Sequence, residues 1–198
     1  MPDESRLVRT AAGLVPQGEG WFVVNVADAP WLRNDHFGAR TGFEAGGRLV
    51  TELPELERFS FPHVGVTVYV LPPGRPSTMY HAESEQESFL VLEGECVLIV
   101  EGQERRLRAW DFFYCAPHTR HAFVGTGERP CVILMVGGRD PAGTILYARD
   151  ETALRHGAGV ERETPSPHEA YAPFPHWRLG RPDGWERLPW SQPPRSSD

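Results

Sequence analysis

Lysine is absent from the sequence: all 20 basic residues among the 198 are arginines, against 27 acidic residues, and the formal net charge is −7. A chain without an ammonium side chain forms no Schiff base with a carbonyl substrate and builds no G-x-x-x-x-G-K-[ST] phosphate loop. An acidic chain without a basic stripe is also a poor binder of nucleic acid or anionic membrane. We therefore expect neither of them as a partner.

Cysteine is scarce, and long apolar runs are missing. The three cysteines, Cys96, Cys115 and Cys131, are odd in number and lack C-x-x-C spacing, which argues against a disulfide framework or a zinc knuckle and for buried free thiols. The N-terminal segment has no apolar stretch of the kind found in secretion signals, and no run of about 18 apolar residues occurs. These features predict a cytoplasmic protein without a membrane span.

Glycine and proline are abundant, with 20 and 19 residues, in a chain that is otherwise 40% hydrophobic and 24% charged. The length fits one domain with extensions, since single domains most often have ~100–200 residues. Glycine and proline interrupt regular secondary structure, so their frequency argues against a helical bundle and favours many short strands joined by turns.

The clearest strand pattern runs from Val64 to Val70, where valines alternate with other residues in the period of two that buries one face of a strand. Further candidate strands are residues 21–27, 78–83, 87–92, 95–101, 111–116, 121–124, 131–137 and 144–147. Short strands at regular spacing, without intervening amphipathic helices, predict an antiparallel sandwich or barrel. Residues 28–60 mix turn residues with short apolar stretches, so the sequence does not define the bounds of strands there.

The C-terminal part differs in composition from the rest. A short helix is predicted after Asp150, ending at Gly157, and Ser166 to Glu169 fits a capping box with Pro167 at the first helical position. Residues 161–198 contain eight prolines and several aromatic residues. Disordered linkers are poor in aromatics, so we expect a strap that packs its rings on the barrel or on a second subunit.

Four residues carry the strongest chemical signal: His81, Glu83, Glu87 and His121. His81 and Glu83 are two residues apart, so both side chains leave the same face of a strand. Two imidazoles with one or two carboxylates inside a barrel would form a mixed nitrogen and oxygen shell that suits a divalent transition metal, namely iron, manganese or zinc.

The segment from Gly74 to Gly94 resembles the first motif of the cupin superfamily, G-x5-H-x-H-x3,4-E-x6-G. His81 matches the first histidine, Glu83 takes the place of the second, Glu87 matches the glutamate and Gly94 the closing glycine, whereas the leading Gly74 is one residue out of register. The resemblance implies an all-β fold: an antiparallel double-stranded β-helix of the jelly-roll type, with N- and C-terminal extensions.

The second cupin motif, G-x5-P-x-G-x2-H-x3-N, is degraded in this chain. Trp110 and His118 stand at its two glycines, Ala116 at the proline and Gly125 at the asparagine, while His121 matches the histidine. Residues 1–60 are predicted as an N-terminal extension with edge strands, 61–148 as the cupin barrel and 149–198 as the strap. The resemblance implies His81, His121 and at least one of the two glutamates as ligands of one metal ion.

Each candidate has an ordinary structural alternative. Glu83 could be a surface residue at a strand end, and either glutamate could be the metal ligand. His63 and Tyr69, which share one face of their strand, could line the cavity or serve only in packing. His118 and Arg120 flank the expected mouth of the site, where a substrate contact and a role in a turn are both open.

Two classes of function remain. His81, Glu83 and the distal His121 form a set of two histidines and one carboxylate, which is the ligand set of non-haem iron oxygenases. A metal-dependent dioxygenase is therefore one hypothesis, beside isomerases or lyases that use the metal as a Lewis acid. The other class is a non-catalytic module that binds a sugar, organic acid or other small ligand. In both classes we expect a homodimer, with residues 21–60 or the rings of 171–190 crossing to the partner.

Overall fold

The protein is an antiparallel β-barrel built from two sheets. The structure, a computed structural model, describes residues 3–17, 20–43 and 63–191. Its strands are β1 (Arg6–Arg9), β2 (Leu14–Gln17), β3 (Leu32–Asn34), β4 (Gly38–Phe43), β5 (Val64–Leu71), β6 (His81–Glu83), β7 (Glu87–Glu93), β8 (Glu95–Val100), β9 (Gln103–Arg108), β10 (Phe112–Cys115), β11 (His121–Thr126), β12 (Cys131–Gly138), β13 (Ile145–Tyr147) and β14 (Arg178–Leu179).

The larger sheet has the order β10–β7–β12–β5–β4–β3–β14, and the smaller one has the order β13–β6–β11–β8–β9. Adjacent strands in both sheets are antiparallel. Sequential strands such as β6 and β7 thus lie in different sheets, which is the connectivity of a jelly roll. The predicted all-β antiparallel barrel is confirmed.

The main core lies between the two sheets. Its buried members come from both, and they are Tyr69, Leu71, Phe89, Val91, Cys96, Leu98, Cys115, Phe123, Cys131, Ile133 and Met135. All three cysteines are buried and free, as the sequence indicates. Apolar side chains therefore fill this part of the barrel interior. The buried polar residues of β6, β7 and β11 do not belong to this core, so their position needs a separate explanation.

The strap packs on the barrel of its own chain. Helices α1 (Glu151–Arg155) and α2 (Pro167–Tyr171) form where the caps predict them, with the Asp150 and Ser166 side chains accepting from backbone N–H groups. Beyond them, Trp31 contacts Trp185 and Trp190, with ring centroids 5.6 and 5.4 Å apart. In the region described, the rings of the strap thus cover the chain's own sheet.

One expectation at the level of strands was wrong. Residues 21–27 form no strand: Trp21 makes one isolated bridge to Glu4, and a 3-10 turn follows at Val26–Asp28. The Asn25 side chain accepts from the Ala27 N–H at 2.9 Å and caps that turn, so local hydrogen bonding overrides the β propensity of the segment.

Several strands of the structure were not predicted from the sequence. β9 is a strand of mostly charged, exposed residues paired with β8 along its whole length, and β1 and β2 form a separate hairpin near the N-terminus. Strands β3 and β4 of the predicted N-terminal extension join the larger sheet. Predictions for residues 44–60 lie outside the described residues.

Among the residues that the structure describes, no helix has the length and apolar character needed to span a bilayer.

Candidate metal centre

Two buried histidines face each other across neighbouring strands. His81 begins β6, His121 begins β11, and the two residues are directly paired in the register of the smaller sheet. Their ring centroids lie 4.9 Å apart. Since paired residues point to the same side of a sheet, both imidazoles enter the barrel interior together.

The third member comes from the other sheet. Glu87 begins β7, and its Oε2 lies 3.3 Å from His121 Nε2. Ligand atoms of His81, Glu87 and His121 all lie within 4.8 Å of one another, and the three residues are buried. The cluster therefore bridges the two sheets of the barrel, and each residue reaches it because it stands at the first position of its strand.

Both imidazoles are oriented by backbone carbonyls. His81 Nδ1 lies 2.7 Å from the Met79 carbonyl oxygen, and His121 Nδ1 lies 3.1 Å from that of Thr119. A carbonyl only accepts, so each Nδ1 donates and, in the neutral ring, each Nε2 presents its lone pair to the cluster. This arrangement is typical of histidines that bind a metal through Nε2.

The charges around the two histidines differ. Burial, followed by the charge of His81, lowers the pKa of His121 to about 3, so His121 is neutral at physiological pH. Burial acts in the same direction on His81, but the hydrogen bond to Glu83 and the carboxylates of Glu87 and Glu83 outweigh it and raise the pKa of His81. The neighbouring carboxylates thus favour a proton on His81 over one on His121.

Glu83 stands beside the cluster. Its Oε1 is 3.5 Å from His81 Nε2, and its side chain is 26% exposed, compared with 5% for Glu87. Burial alone would raise the pKa of Glu83, but its hydrogen bond to His81 and the charges of His81 and Arg139 lower it. Glu83 is therefore a carboxylate at the open side of the site, whereas Glu87 closes its inner side.

Glycines make room for Glu87 and for an arginine next to it. A Cβ at Gly137 would lie 3.2 Å from Glu87 Cγ and 2.9 Å from Arg139 Nη1, and a Cβ at Gly65 would lie 2.6 Å from Arg139 Nε. Gly65 and Gly137 are paired in the β5–β12 register. The guanidinium group therefore lies against two facing glycines at the end of the sheet.

The cluster opens into a cavity of about 550 Å³. Its walls carry four carboxylates, from Glu83, Glu85, Glu87 and Asp140, but only two guanidinium groups. The excess of negative charge makes the cavity a favourable place for a cation. The donor set thus fits a divalent transition metal, with nitrogen and carboxylate ligands of the kinds that iron, manganese and zinc accept.

Of the residues predicted to line a substrate pocket, Tyr69 lies in the wall of this cavity, whereas His63, His118 and Arg120 are not among its lining residues. His118 and Arg120 are exposed. His118 stands in a turn, where its backbone N–H donates to the Glu83 carbonyl at 2.7 Å. That contact links the turn to the strand that carries His81.

Sequence reasoning missed several lining residues from distant segments: Arg40, Ser77, Thr78, Arg139, Tyr147 and Tyr171. The strap supplies Tyr171, whose ring packs edge-on against Tyr147 at 5.6 Å. The ring centroids of Tyr147 and His81 lie 5.7 Å apart. Glycine inside a strand can indicate that another group approaches the backbone closely. Gly65 and Gly137 were therefore a weak sequence indication that a side chain, here Arg139, packs against this end of the sheet.

Residues 67–137 match the family model of the cupin domain. This segment, roughly a third of the chain, belongs to the cupin superfamily, and the resemblance drawn from the motif residues is confirmed. The backbone supports the register of the degraded second motif, because Trp110 and His118, which replace its glycines, have φ angles of 74° and 66°.

Several solved structures resemble the chain. A candidate sugar phosphate isomerase from Acidithiobacillus ferrooxidans is 24% identical, with a TM-score of 0.43 over 55% of this chain and 64% of that one. A sugar phosphate isomerase of the cupin superfamily from Silicibacter pomeroyi is 26% identical, with a TM-score of 0.43 over 57% and 83%. A cupin protein from Bacteroides fragilis is 19% identical, with a TM-score of 0.40 over 53% and 80%.

The chain thus covers less than two thirds of the Acidithiobacillus protein. Among curated proteins, none is significantly similar to it in sequence.

Proposed function

We propose that this protein is a metal-dependent cupin enzyme that holds one divalent transition metal through His81, Glu87 and His121 and acts on a small molecule in the adjoining cavity. One observation carries the proposal: both histidines have their Nδ1 atoms fixed by carbonyls, and one ligand atom from each of His81, Glu87 and His121 lies within 4.8 Å of the others in the barrel interior. A metal ion explains why three polar groups share this interior position.

Of the chemistries open to such a site, we favour a non-haem oxygenase. Three protein ligands, two imidazoles and one carboxylate, leave coordination positions for substrate and O₂ when the metal is iron. In this assignment Glu87 is the carboxylate ligand, and Glu83, as the more exposed carboxylate beside His81, holds or moves a proton on the substrate side. Tyr69, Tyr147 and Arg139 line the space in which the substrate would be oriented.

The first experiment measures metal content. Protein purified without an affinity tag should contain close to one equivalent of a transition metal, and His121→Ala should lose it while keeping the far-UV spectrum of a β protein. Glu85→Gln is the matched control, because Glu85 lines the same cavity but lies outside the three-residue cluster. Equal metal content in the wild type and in His121→Ala would refute the metal site.

A second experiment separates the oxygenase from a binding module. The protein reconstituted anaerobically with Fe(II) is exposed to nitric oxide, an analogue of O₂, and an electron paramagnetic resonance signal from nitric oxide at the iron is expected. Iron that binds but gives no such signal would argue against open coordination positions. The non-catalytic binding module would then replace the oxygenase proposal.

A further inference from the structure

The strap contacts the backbone segment that directly precedes His81. This segment, residues 77–80, forms no strand, although β6 begins immediately after it. Irregular backbone has no neighbouring strand to supply its hydrogen bonds, so other groups must satisfy its amides and thereby determine their direction. The direction is important at Met79, because its carbonyl oxygen accepts from His81 Nδ1 at 2.7 Å.

Two N–H groups of this segment donate to the strap. The Met79 N–H donates to the Tyr171 hydroxyl oxygen at 3.3 Å, and the Tyr80 N–H donates to the Ala158 carbonyl oxygen at 2.6 Å. The Tyr80 N–H and the Met79 carbonyl belong to one planar peptide group, so Ala158 holds the end of that group opposite to His81. Tyr171 holds the peptide group before it. The direction of the Met79 carbonyl therefore depends on the strap.

The ring of Tyr171 is packed between two other rings. It lies edge-on to Phe37 and to Tyr147, with centroids 5.2 and 5.6 Å away. Tyr147 is in turn paired with His81 in the β13–β6 register. Close packing on two sides limits the orientations open to the Tyr171 ring, and this keeps its hydroxyl group at the Met79 N–H.

The helix that carries Tyr171 is anchored at its start. Thr164 and Tyr147 exchange two backbone hydrogen bonds, at 2.9 and 3.0 Å, which attach the strap to β13. The Ser166 side chain then caps α2 by accepting from the Glu169 N–H. Tyr171 is the last residue of this five-residue helix. Because the helix is short and its start is attached to β13, its last residue is held next to the segment that precedes His81.

We propose that Tyr171 is a positioning residue for His81. The proposal rests on the proposed function, because it concerns how one ligand of the metal is oriented. By holding Met79, the Tyr171 hydroxyl keeps His81 Nδ1 in the donor role and Nε2 directed at the cluster. Tyr171 lies outside residues 67–137, which match the cupin domain, and it also lines the cavity. A molecule in the cavity would therefore contact the residue that orients His81.

The first test compares two tyrosine variants. Tyr171→Phe removes the oxygen that accepts from the Met79 N–H and keeps the ring. Tyr80→Phe is the matched control, because the Tyr80 hydroxyl also accepts from a backbone N–H, that of Gly102 at 3.0 Å, and its side chain packs in a different cluster. Direct partners of a metal-binding histidine are worth about 10–100-fold in affinity, and Tyr171 acts through one further group, so its variant should lose roughly three- to tenfold in Zn²⁺ affinity. Tyr80→Phe should keep the wild-type affinity.

The second test observes His81 itself. In the wild type loaded with Co(II), the proton NMR spectrum should contain two paramagnetically shifted signals that exchange with water, from the Nδ1–H groups of His81 and His121. In Tyr171→Phe the His81 signal should move and exchange faster, because its acceptor is held less firmly. The His121 signal is the internal reference, since its Nδ1–H donates to the Thr119 carbonyl. Tyr80→Phe should leave both signals unchanged.

A Tyr171→Phe variant with both signals unchanged would overturn the proposal even if its Zn²⁺ affinity fell, because the hydroxyl would then act by a route other than His81. A wild type that binds no Co(II) would instead refute the proposed metal site. The positioning of His81 is then decided on the metal-free protein. There the ring ¹⁵N signal of His81 Nδ1 should shift in Tyr171→Phe and not in Tyr80→Phe, and equal spectra of the two variants would overturn the positioning role.

Discussion

At the scale of single residues, the proposed roles of the two glutamates near His81 can be separated by substitution. We predict that Glu87→Gln weakens metal affinity by at least tenfold, because an amide removes the anionic ligand from the buried side of the cluster, where Glu87 Oε2 is 3.3 Å from His121 Nε2. Glu83→Gln should weaken it much less, because Glu83 is at the open side. Competition titration with a chromogenic chelator measures both affinities.

The Glu85→Gln variant, which neutralises a third carboxylate of the cavity, serves as the control for a general loss of negative charge. A larger loss for Glu83→Gln than for Glu87→Gln would transfer the ligand role to Glu83. In that case the proposal that Glu83 holds or moves a proton would also be wrong.

The thiols give a second prediction at this scale. Burial, followed by the nearby acids, raises the pKa of Cys115 to about 12, and the hydrogen bond to Cys96 and burial raise the pKa of Cys131. Only about one Cys115 thiol in 10⁴ is ionised at pH 8, and the thiolate is the reactive form. Ellman's reagent should therefore react with almost none of the three cysteines in the native protein and with all three in denaturant.

The motif spacing selected four residues, His81, Glu83, Glu87 and His121, and left the choice between the two glutamates open. The structure brings three of them, His81, Glu87 and His121, together. The hydrogen bonds that orient the two imidazoles could not be predicted from the sequence. They come from the Met79 and Thr119 carbonyls, and the direction of these carbonyls depends on the conformation of the turns. Arg139 was missed for a similar reason: its place depends on the pairing of β5 with β12, a long-range contact that no local pattern encodes.

At the scale of elements, the turns around the first motif differ in how strictly they need glycine. Gly94 has φ 75°, and a Cβ there would lie 2.6 Å from the Pro130 carbonyl oxygen, whereas Gly74 has φ 77° and nothing within 4 Å. We predict that Gly74→Ala costs about 1 kcal/mol through backbone strain and that Gly94→Ala costs about 1–3 kcal/mol more through the clash. Urea denaturation of both variants measures the difference, and equal costs would contradict it.

The strap is an integral part of the fold in the region described. Leu188 is 2% exposed and packs in the cluster that includes Val68, Val70 and Val132. Leu188→Ala should lower the free energy of unfolding by about 2–5 kcal/mol, the usual range for a leucine removed from a core. Leu179→Ala, at an exposed position, should cost less than about 1 kcal/mol. A negligible effect of Leu188→Ala in urea denaturation would show that the strap adds little stability.

Elements with a strong local signal were predictable, and those decided by partners were not. The caps at Asp150 and Ser166 located both helices, and the valine alternation located β5. The alternation did not show that these valines point away from the barrel interior, because that depends on which face the strap covers. β9 was missed because its charged, exposed residues have no apolar face, and it exists through its pairing with β8.

At the scale of the whole molecule, the cluster of His81, Glu87 and His121 joins the two sheets of the barrel. His81 and His121 belong to the smaller sheet and Glu87 to the larger one. Unfolding separates these three groups, so a metal that binds them binds the native state far more tightly than the unfolded one. Such a ligand stabilises the fold by mass action, by about 2.7 kcal/mol when its free concentration is 100 times Kd.

We therefore predict that removing the metal with a chelator lowers the Tm by several degrees and that adding Zn²⁺ or Mn²⁺ restores it. A shift of 1 kcal/mol corresponds to roughly 2–4 °C for a domain of this size. His121→Ala should unfold at the same temperature with and without metal, whereas Glu85→Gln should keep the full shift. Differential scanning calorimetry at matched protein concentrations makes this comparison. Equal metal-dependent shifts in the wild type and in His121→Ala would place the stabilising metal elsewhere in the protein.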